Sequence, residues 1–132
     1  MKISIIGSGN MGTGLARLLV AAKHKVTLVS RTPAQVASKV PCVATASYAD
    51  VARTAEIVFL AVPYDEVKSI ASQVGSLAGK IAVDLTNPLA PDFMSLTLGH
   101  TSSAGEQVQA LFPSAKVVKA FNTVFAQVLA KP

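Results

Sequence analysis

Three glycines near the start of the chain carry the clearest chemical signal. Residues 2 to 12 read Lys-Ile-Ser-Ile-Ile-Gly-Ser-Gly-Asn-Met-Gly, an apolar, β-branched run that ends in Gly7-x-Gly9-x-x-Gly12 and leads at once into a helical pattern. A strand, a tight turn and a helix start in that order can hold the diphosphate of a dinucleotide. Gly7 lets the chain turn sharply out of the strand, Gly9 lets the backbone come close to the phosphates, and Gly12 lets helix and strand pack tightly. The helix start adds free N–H groups and a partial positive charge that favour an anion. The same glycines also suit an ordinary turn; the strand before them and the helix after them favour the diphosphate.

The next informative residues are Ser30-Arg31-Thr32, at the end of the second apolar run. In a dinucleotide-binding unit this position faces the adenosine ribose, where NAD-preferring enzymes use Asp or Glu to hold the ribose hydroxyls. Here no carboxylate repels a 2′-phosphate. Ser30 and Thr32 offer hydroxyls, and Arg31 offers a forked guanidinium. NADP is favoured over NAD, with a solvated loop arginine as the plain alternative. Three further segments fall where later strands end: Ala61-Val62-Pro63, Thr86-Asn87-Pro88 and Asn122-Thr123. They are expected to line the crevice on its nicotinamide side, although Asn, Thr and Pro are common at any strand-to-loop junction.

No catalytic acid, base or nucleophile stands out, and no metal site is expected. His24 and His100 lack a carboxylate partner or metal-ligand spacing. Asp65 and Glu66 open a helix, where acidic groups favour the dipole. No Ser-His-Asp or Cys-His set is readable. Asp84, at a strand end near the crevice, is the carboxylate of most interest, and Lys119 is read as a solvated side chain.

Positioning these groups calls for alternating strands and helices. Strands are predicted at residues 2–6, 25–30, 42–45, 57–62, 80–85 and 116–121, the fourth wholly apolar and therefore central. Helices are predicted over 10–23, 34–39 and 48–53, the last capped by Ser47. A fourth helix starts at Pro63, carries Val67, Ile70, Ala71 and Val74 on one stripe, and stops at Gly75. A fifth, capped by Ser102 or Ser103 with Glu106 or Gln107 closing the cap, runs through Phe112. A sixth covers 123–130, and residues 91–100 show no clear period. The pattern predicts an α/β, Rossmann-like doubly wound parallel sheet of order 3-2-1-4-5-6 with helices on both faces.

Composition narrows the field. With 132 residues, 51% apolar and 14% charged, the chain is expected to form a single NADP-binding domain. The net charge of +5 comes from singly scattered basic residues with no run, so it is read as attraction for an anionic cofactor and not for nucleic acid. No apolar stretch is long enough for a membrane span, the first residues read as strand and not as a leader, and a lone cysteine, Cys42, suits a reducing cytoplasm. Cys42 is read as a small buried hydrophobe.

Gly7-Ser-Gly-Asn-Met-Gly12, Ser30-Arg31, Leu60-Ala-Val-Pro63, Asp84-Leu-Thr-Asn-Pro-Leu89 and above all Val117-Val-Lys-Ala-Phe-Asn-Thr123 resemble the NADPH-dependent oxidoreductases of the coenzyme F-420 type. That group includes F-420:NADP oxidoreductases and the related reductase domains of membrane-bound ferric reductases. The resemblance runs in order through nearly the whole chain. It implies hydride transfer between NADP(H) and a small-molecule acceptor, a flavin or a deazaflavin such as coenzyme F-420. It implies Ser8, Asn10 and Met11 on the diphosphate, Ser30 and Arg31 on the 2′-phosphate, Val62 and Pro63 near the nicotinamide, and Asn122 and Thr123 near the ring or its acceptor. Such chemistry is chiefly positioning and needs no dedicated acid or base. Members of the group usually continue further, so the acceptor pocket is expected to be incomplete here. Val124, Phe125, Val128 and Leu129 are then expected to lack cover, which favours a homodimer through the last helix. A non-catalytic NADP-binding or redox-sensing module and another small-substrate NADP reductase are the competing readings.

Overall fold

The computed structural model describes residues 1–37, 40–41 and 43–130. Six strands, β1 (Lys2–Ile6), β2 (Lys25–Val29), β3 (Ala44–Ala46), β4 (Ile57–Leu60), β5 (Ile81–Asp84) and β6 (Lys116–Lys119), form one parallel sheet of order β3-β2-β1-β4-β5-β6. This is the expected Rossmann-like arrangement, with the apolar β4 between β1 and β5. The register aligns the strand ends. Ala46 pairs with Val29, Val29 with Ile6, Ile6 with Leu60, Leu60 with Asp84 and Asp84 with Lys119. One row of residues therefore closes all six strands, and every loop of functional interest leaves from it. Chain order reverses between β1 and β4, which opens a crevice at that row.

Alternation along the strands sends side chains into two cores, one on each face of the sheet. Ile3, Ile5 and Leu28 pack with Leu15 and Ala16 of α1 (Asn10–Ala21), Val36 of α2 (Pro33–Ala37) and Leu129 of α6 (Ala126–Ala130). On the other face, Ile6, Val58 and Leu60 pack with Val51 of α3 (Val51–Thr54), Val67, Ile70 and Val74 of α4 (Val67–Val74) and Val108 of α5 (Ala104–Leu111). Helices cover both faces, as a parallel sheet requires.

Element ends depart from expectation for local reasons. The first helix stops at Ala21, because Lys23 turns to a φ of 66° and the N–H groups of Ala22 and His24 cap Leu18 and Leu19. Strands two, four, five and six end one or two residues early, where the chain leaves the sheet for the crevice. The stretch 48–53 is a 3-10 turn, Tyr48–Asp50, followed by α3. The Ser47 hydroxyl donates to the Asp50 carboxylate at 2.7 Å and does not cap a backbone N–H. Pro63 likewise opens a 3-10 turn, Tyr64–Glu66, before α4, and Gly75 ends α4 at a φ of 73°. The cap of α5 is a full capping box between Ser103 and Glu106. The third strand starts at Ala44; Cys42 and Lys39, which the sequence places in a strand and a helix, lie outside the described residues. The last helix starts at Ala126. Leu129 is buried and Val124 half-buried, contrary to expectation, whereas Phe125 and Val128 are exposed. Gly14 makes this possible: a Cβ there would stand 2.9 Å from the Cβ of Leu129. Among the described residues no helix is long and apolar enough to cross a membrane.

Candidate functional site

The glycine turn sits at the crossing of β1, β2 and β4. Gly7 donates its N–H to Val29 O at 3.0 Å, and Ala61 donates to Ile6 O at 2.8 Å, so sheet pairing continues into the turn. Gly7 turns at a φ of 112°, and an added Cβ would lie 2.1 Å from the Ala61 carbonyl oxygen. At Gly12 a Cβ would lie 2.0 Å from the Gly7 carbonyl oxygen. Both positions exclude a side chain for reasons internal to the fold. Gly9 differs: its φ is an ordinary −75°, and an added Cβ would meet nothing within 4 Å. The room in front of it opens onto the start of α1, which no side chain caps and whose first turn holds no acidic residue. Residues 9–11 and 61–63 with Leu85 bound a cleft of about 270 Å³ there. An uncapped helix start beside bare backbone is chemically suited to an anion, and a diphosphate fits that donor set. Ser8 is half-buried within the turn.

Beyond β2 a second cleft, about 420 Å³, is bounded by Ser30, Arg31, Ser47 and Tyr48 among others. The Thr32 N–H donates to the Ser30 hydroxyl oxygen at 3.2 Å, which leaves the Ser30 proton for another acceptor. Arg31 lies 3.9 Å from Glu66, with side chains 73% and 43% exposed. Burial pushes the Tyr48 phenol above its usual range, the Arg31 charge opposes this and the Glu66 charge adds to it. Tyr48 is thus a neutral hydroxyl beside the guanidinium.

A third cavity, about 500 Å³, continues past Val62 and Pro63 to Leu85, Thr86, Asn87 and the loop after β5. Asn87 Nδ2 donates to the Asn122 carbonyl at 2.7 Å and Asn122 Nδ2 donates to Asn87 Oδ1 at 3.3 Å, a reciprocal clasp joining the ends of β5 and β6. Beneath it Asp84 is fully buried, accepting from Lys119 Nζ at 2.9 Å and from the Thr86 N–H at 2.8 Å. Lys119 also donates to the Thr86 carbonyl. Lys119 is therefore not merely solvated: its side chain is 32% exposed, but strand register sets it beside Asp84, and a buried carboxylate needs its charge. Tyr64, on the wall of this cavity, donates to Gln107 Oε1 at 2.5 Å. Burial raises the pKa of its phenol, helped by Asp65 and Asp84.

The fold thus gathers Gly9, Asn10, Met11, Ala61, Val62 and Pro63 at one cleft, Ser30 and Arg31 at the second and Asn87 at the third. Asn122 acts on the third through Asn87, while Thr32 and Thr123 border none of the three. Tyr48 and Leu85 are site residues that sequence reasoning did not single out; Asp84 stood out as a carboxylate near the crevice, but its pairing with Lys119 was missed. Only the position of Tyr48 just after β3 hinted at its place, because every strand end faces the crevice. Among the described residues no group of three or more His, Cys, Asp or Glu side chains could hold a metal ion.

Comparison with known proteins bears on the family and the fold. Residues 2–88 match the family described as NADP oxidoreductase, coenzyme F420-dependent. Metalloreductase STEAP3 of Rattus norvegicus is 36% identical over 129 residues, which cover 97% of this chain and 26% of that protein. The chain spans about a quarter of the length of the curated metalloreductases it matches. A hypothetical protein from Sinorhizobium meliloti is 38% identical with a TM-score of 0.87, over 98% of this chain and 65% of the other. A candidate F420-dependent NADP reductase from Arthrobacter sp. FB24 is 36% identical with a TM-score of 0.85, over 100% of this chain and 67% of the other. With the family match running from β1 into the loop after β5, the chain belongs to the coenzyme F420-dependent NADP oxidoreductases.

Proposed function

We propose that residues 1–132 act as one NADP-binding unit that presents NADPH for hydride transfer to a small flavin- or deazaflavin-type acceptor, in the cytoplasm. The observation that carries this reading is the pairing of an open, uncapped glycine turn at the β1/β4 switch point with Arg31, not a carboxylate, past the end of β2. In this reading the bound nicotinamide supplies the hydride, and the chain binds and orients. The turn from Gly7 through Ser8, Gly9, Asn10 and Met11 to Gly12 holds the diphosphate with backbone N–H groups. Ser30, Arg31 and Thr32 take the 2′-phosphate. Ala61, Val62 and Pro63 flank the nicotinamide and exclude water from one side, and the Asn87–Asn122 clasp with Thr123 fixes the edge where the acceptor approaches.

Holding two rings in register is worth far more to such a reaction than any single acid or base. A homodimer through the C-terminal helix accompanies this reading, supported by exposed Phe125 and Val128. The deciding experiment is a titration of the unmodified protein with NADPH and NADH, followed by a turnover screen over flavins and deazaflavins. Tighter NADPH binding and oxidation of NADPH by such an acceptor are expected. Equal affinity for the two nucleotides would defeat the phosphate assignment, and binding with no turnover would leave a cofactor-binding module.

A further inference from the structure

The loop between β5 and α5 uses its hydrogen bonds to hold apolar side chains outward. Leu89 and Leu96 form an antiparallel bridge, Ala90 donates to Ser95 O at 2.9 Å, and Thr97 donates to Pro88 O at 2.7 Å. Asp92 Oδ1 accepts from the N–H groups of Met94 at 3.0 Å and Ser95 at 3.2 Å, and from the Ser95 hydroxyl at 3.2 Å. Those bonds hold the Asp92 carboxyl below its usual range. Between them Phe93 stands at a φ of 57°, in the left-handed region that a residue with a Cβ rarely adopts.

Phe93 is 77% exposed and yet lines the 500 Å³ cavity that Val62, Pro63, Leu85 and Asn87 bound from the nicotinamide side. Met94 and Leu96, also apolar and exposed, do not line it. Folding alone gains nothing from an aromatic ring kept in water on a strained backbone. Lys23 and Phe121 take the same left-handed backbone, at φ 66° and 62°, and of these three residues Phe93 alone lines that cavity, so the turn fixes its place there.

We propose that Phe93 is the aromatic outer wall of the acceptor cavity, the face on which a planar fused heteroaromatic acceptor stacks; this rests on the neighbouring cleft being the NADP site. Stacking on a ring tolerates varied substituents, because every flat heterocycle has a π face. The wall therefore selects flatness, and small aliphatic carbonyl or imine compounds gain nothing from it.

Calorimetric titration of riboflavin into protein saturated with NADP⁺ tests this without turnover, since both partners are oxidised. Phe93→Ala is expected to weaken riboflavin roughly 5- to 150-fold, the range for removing one aromatic stack on a base, with NADP⁺ affinity unchanged. Phe93→Tyr is expected to retain binding, and Phe93→Leu, which keeps apolar bulk without a ring, to lose it. Riboflavin bound by Phe93→Leu as tightly as by the unmodified protein overturns the proposal. So does an unmodified protein that binds NADP⁺ but no riboflavin. Failure to bind NADP⁺ at all defeats the cofactor reading instead, and shows before riboflavin is added.

Discussion

Arg31 meets solvent with 73% of its side chain, and an acidic neighbour, Glu66, stands 3.9 Å away. An ion pair that exposed contributes at most about 1 kcal/mol, so the guanidinium can leave Glu66 for a phosphate whose geometry matches its fork. A charge-assisted contact of that kind contributes about 1.5–3 kcal/mol, or roughly 10- to 150-fold in affinity. Arg31→Ala is accordingly expected to weaken NADPH by such a factor and leave NADH almost unaffected. Equal losses for both nucleotides, measured by fluorescence titration, would mean that Arg31 serves the part they share.

The junction of β5 and β6 rests on a buried charge. Lys119→Met would leave the fully buried Asp84 carboxylate without its cation. Breaking a buried pair from one side destabilises by about 3–5 kcal/mol, and the 32% exposure of the Lys119 side chain argues for the lower end. Adding Asp84→Asn should recover most of the loss. Urea midpoints at constant slope measure both, and a Lys119→Met protein as stable as the parent would refute the pairing. The start of α5 carries a pH signature. The Ser103 N–H and hydroxyl hold the Glu106 carboxyl below its ordinary value of 4.5. A depressed folded-state pKa means that the stabilisation is present above pH 4.5 and fades as pH falls through the lower folded value. The melting-temperature advantage of the parent over Glu106→Gln should therefore shrink below pH 4.5 and vanish once the pH has passed the lower folded value. An advantage that persists there would contradict the capping box.

Taken as a whole, the molecule hides its two cores well but leaves an apolar edge beside α6. Leu129 is anchored over Gly14, while Phe125 is 76% and Val128 63% exposed. Burial of two such side chains in an isologous contact contributes about 1.5–3 kcal/mol for each. Sedimentation is expected to show a concentration-dependent dimer, and Phe125→Ser with Val128→Ser should yield a monomer that still binds NADPH. A strict monomer of the unmodified protein at high concentration would count against the interface.

Local chemistry made the strand ladder readable in the chain itself: the β-branched runs, the glycine spacing, a cap at Ser102 or Ser103 and the stop at Gly75 are each set by residues a few positions apart. So was the crevice, because right-handed crossovers leave few windings for alternating strands and helices, and each gathers the loops that follow the strands along one edge. The Val117-to-Thr123 stretch pointed to the family for the same reason, being contiguous. Lys119 and Asp84, 35 residues apart, became partners only when β6 docked on β5, since pairing register is a property of neighbouring strands and not of either one. Tyr48 reached Arg31, Leu129 found the gap above Gly14, and Phe93 was turned toward a cavity in the same way. Each depends on distances between segments far apart in the chain, which packing alone determines.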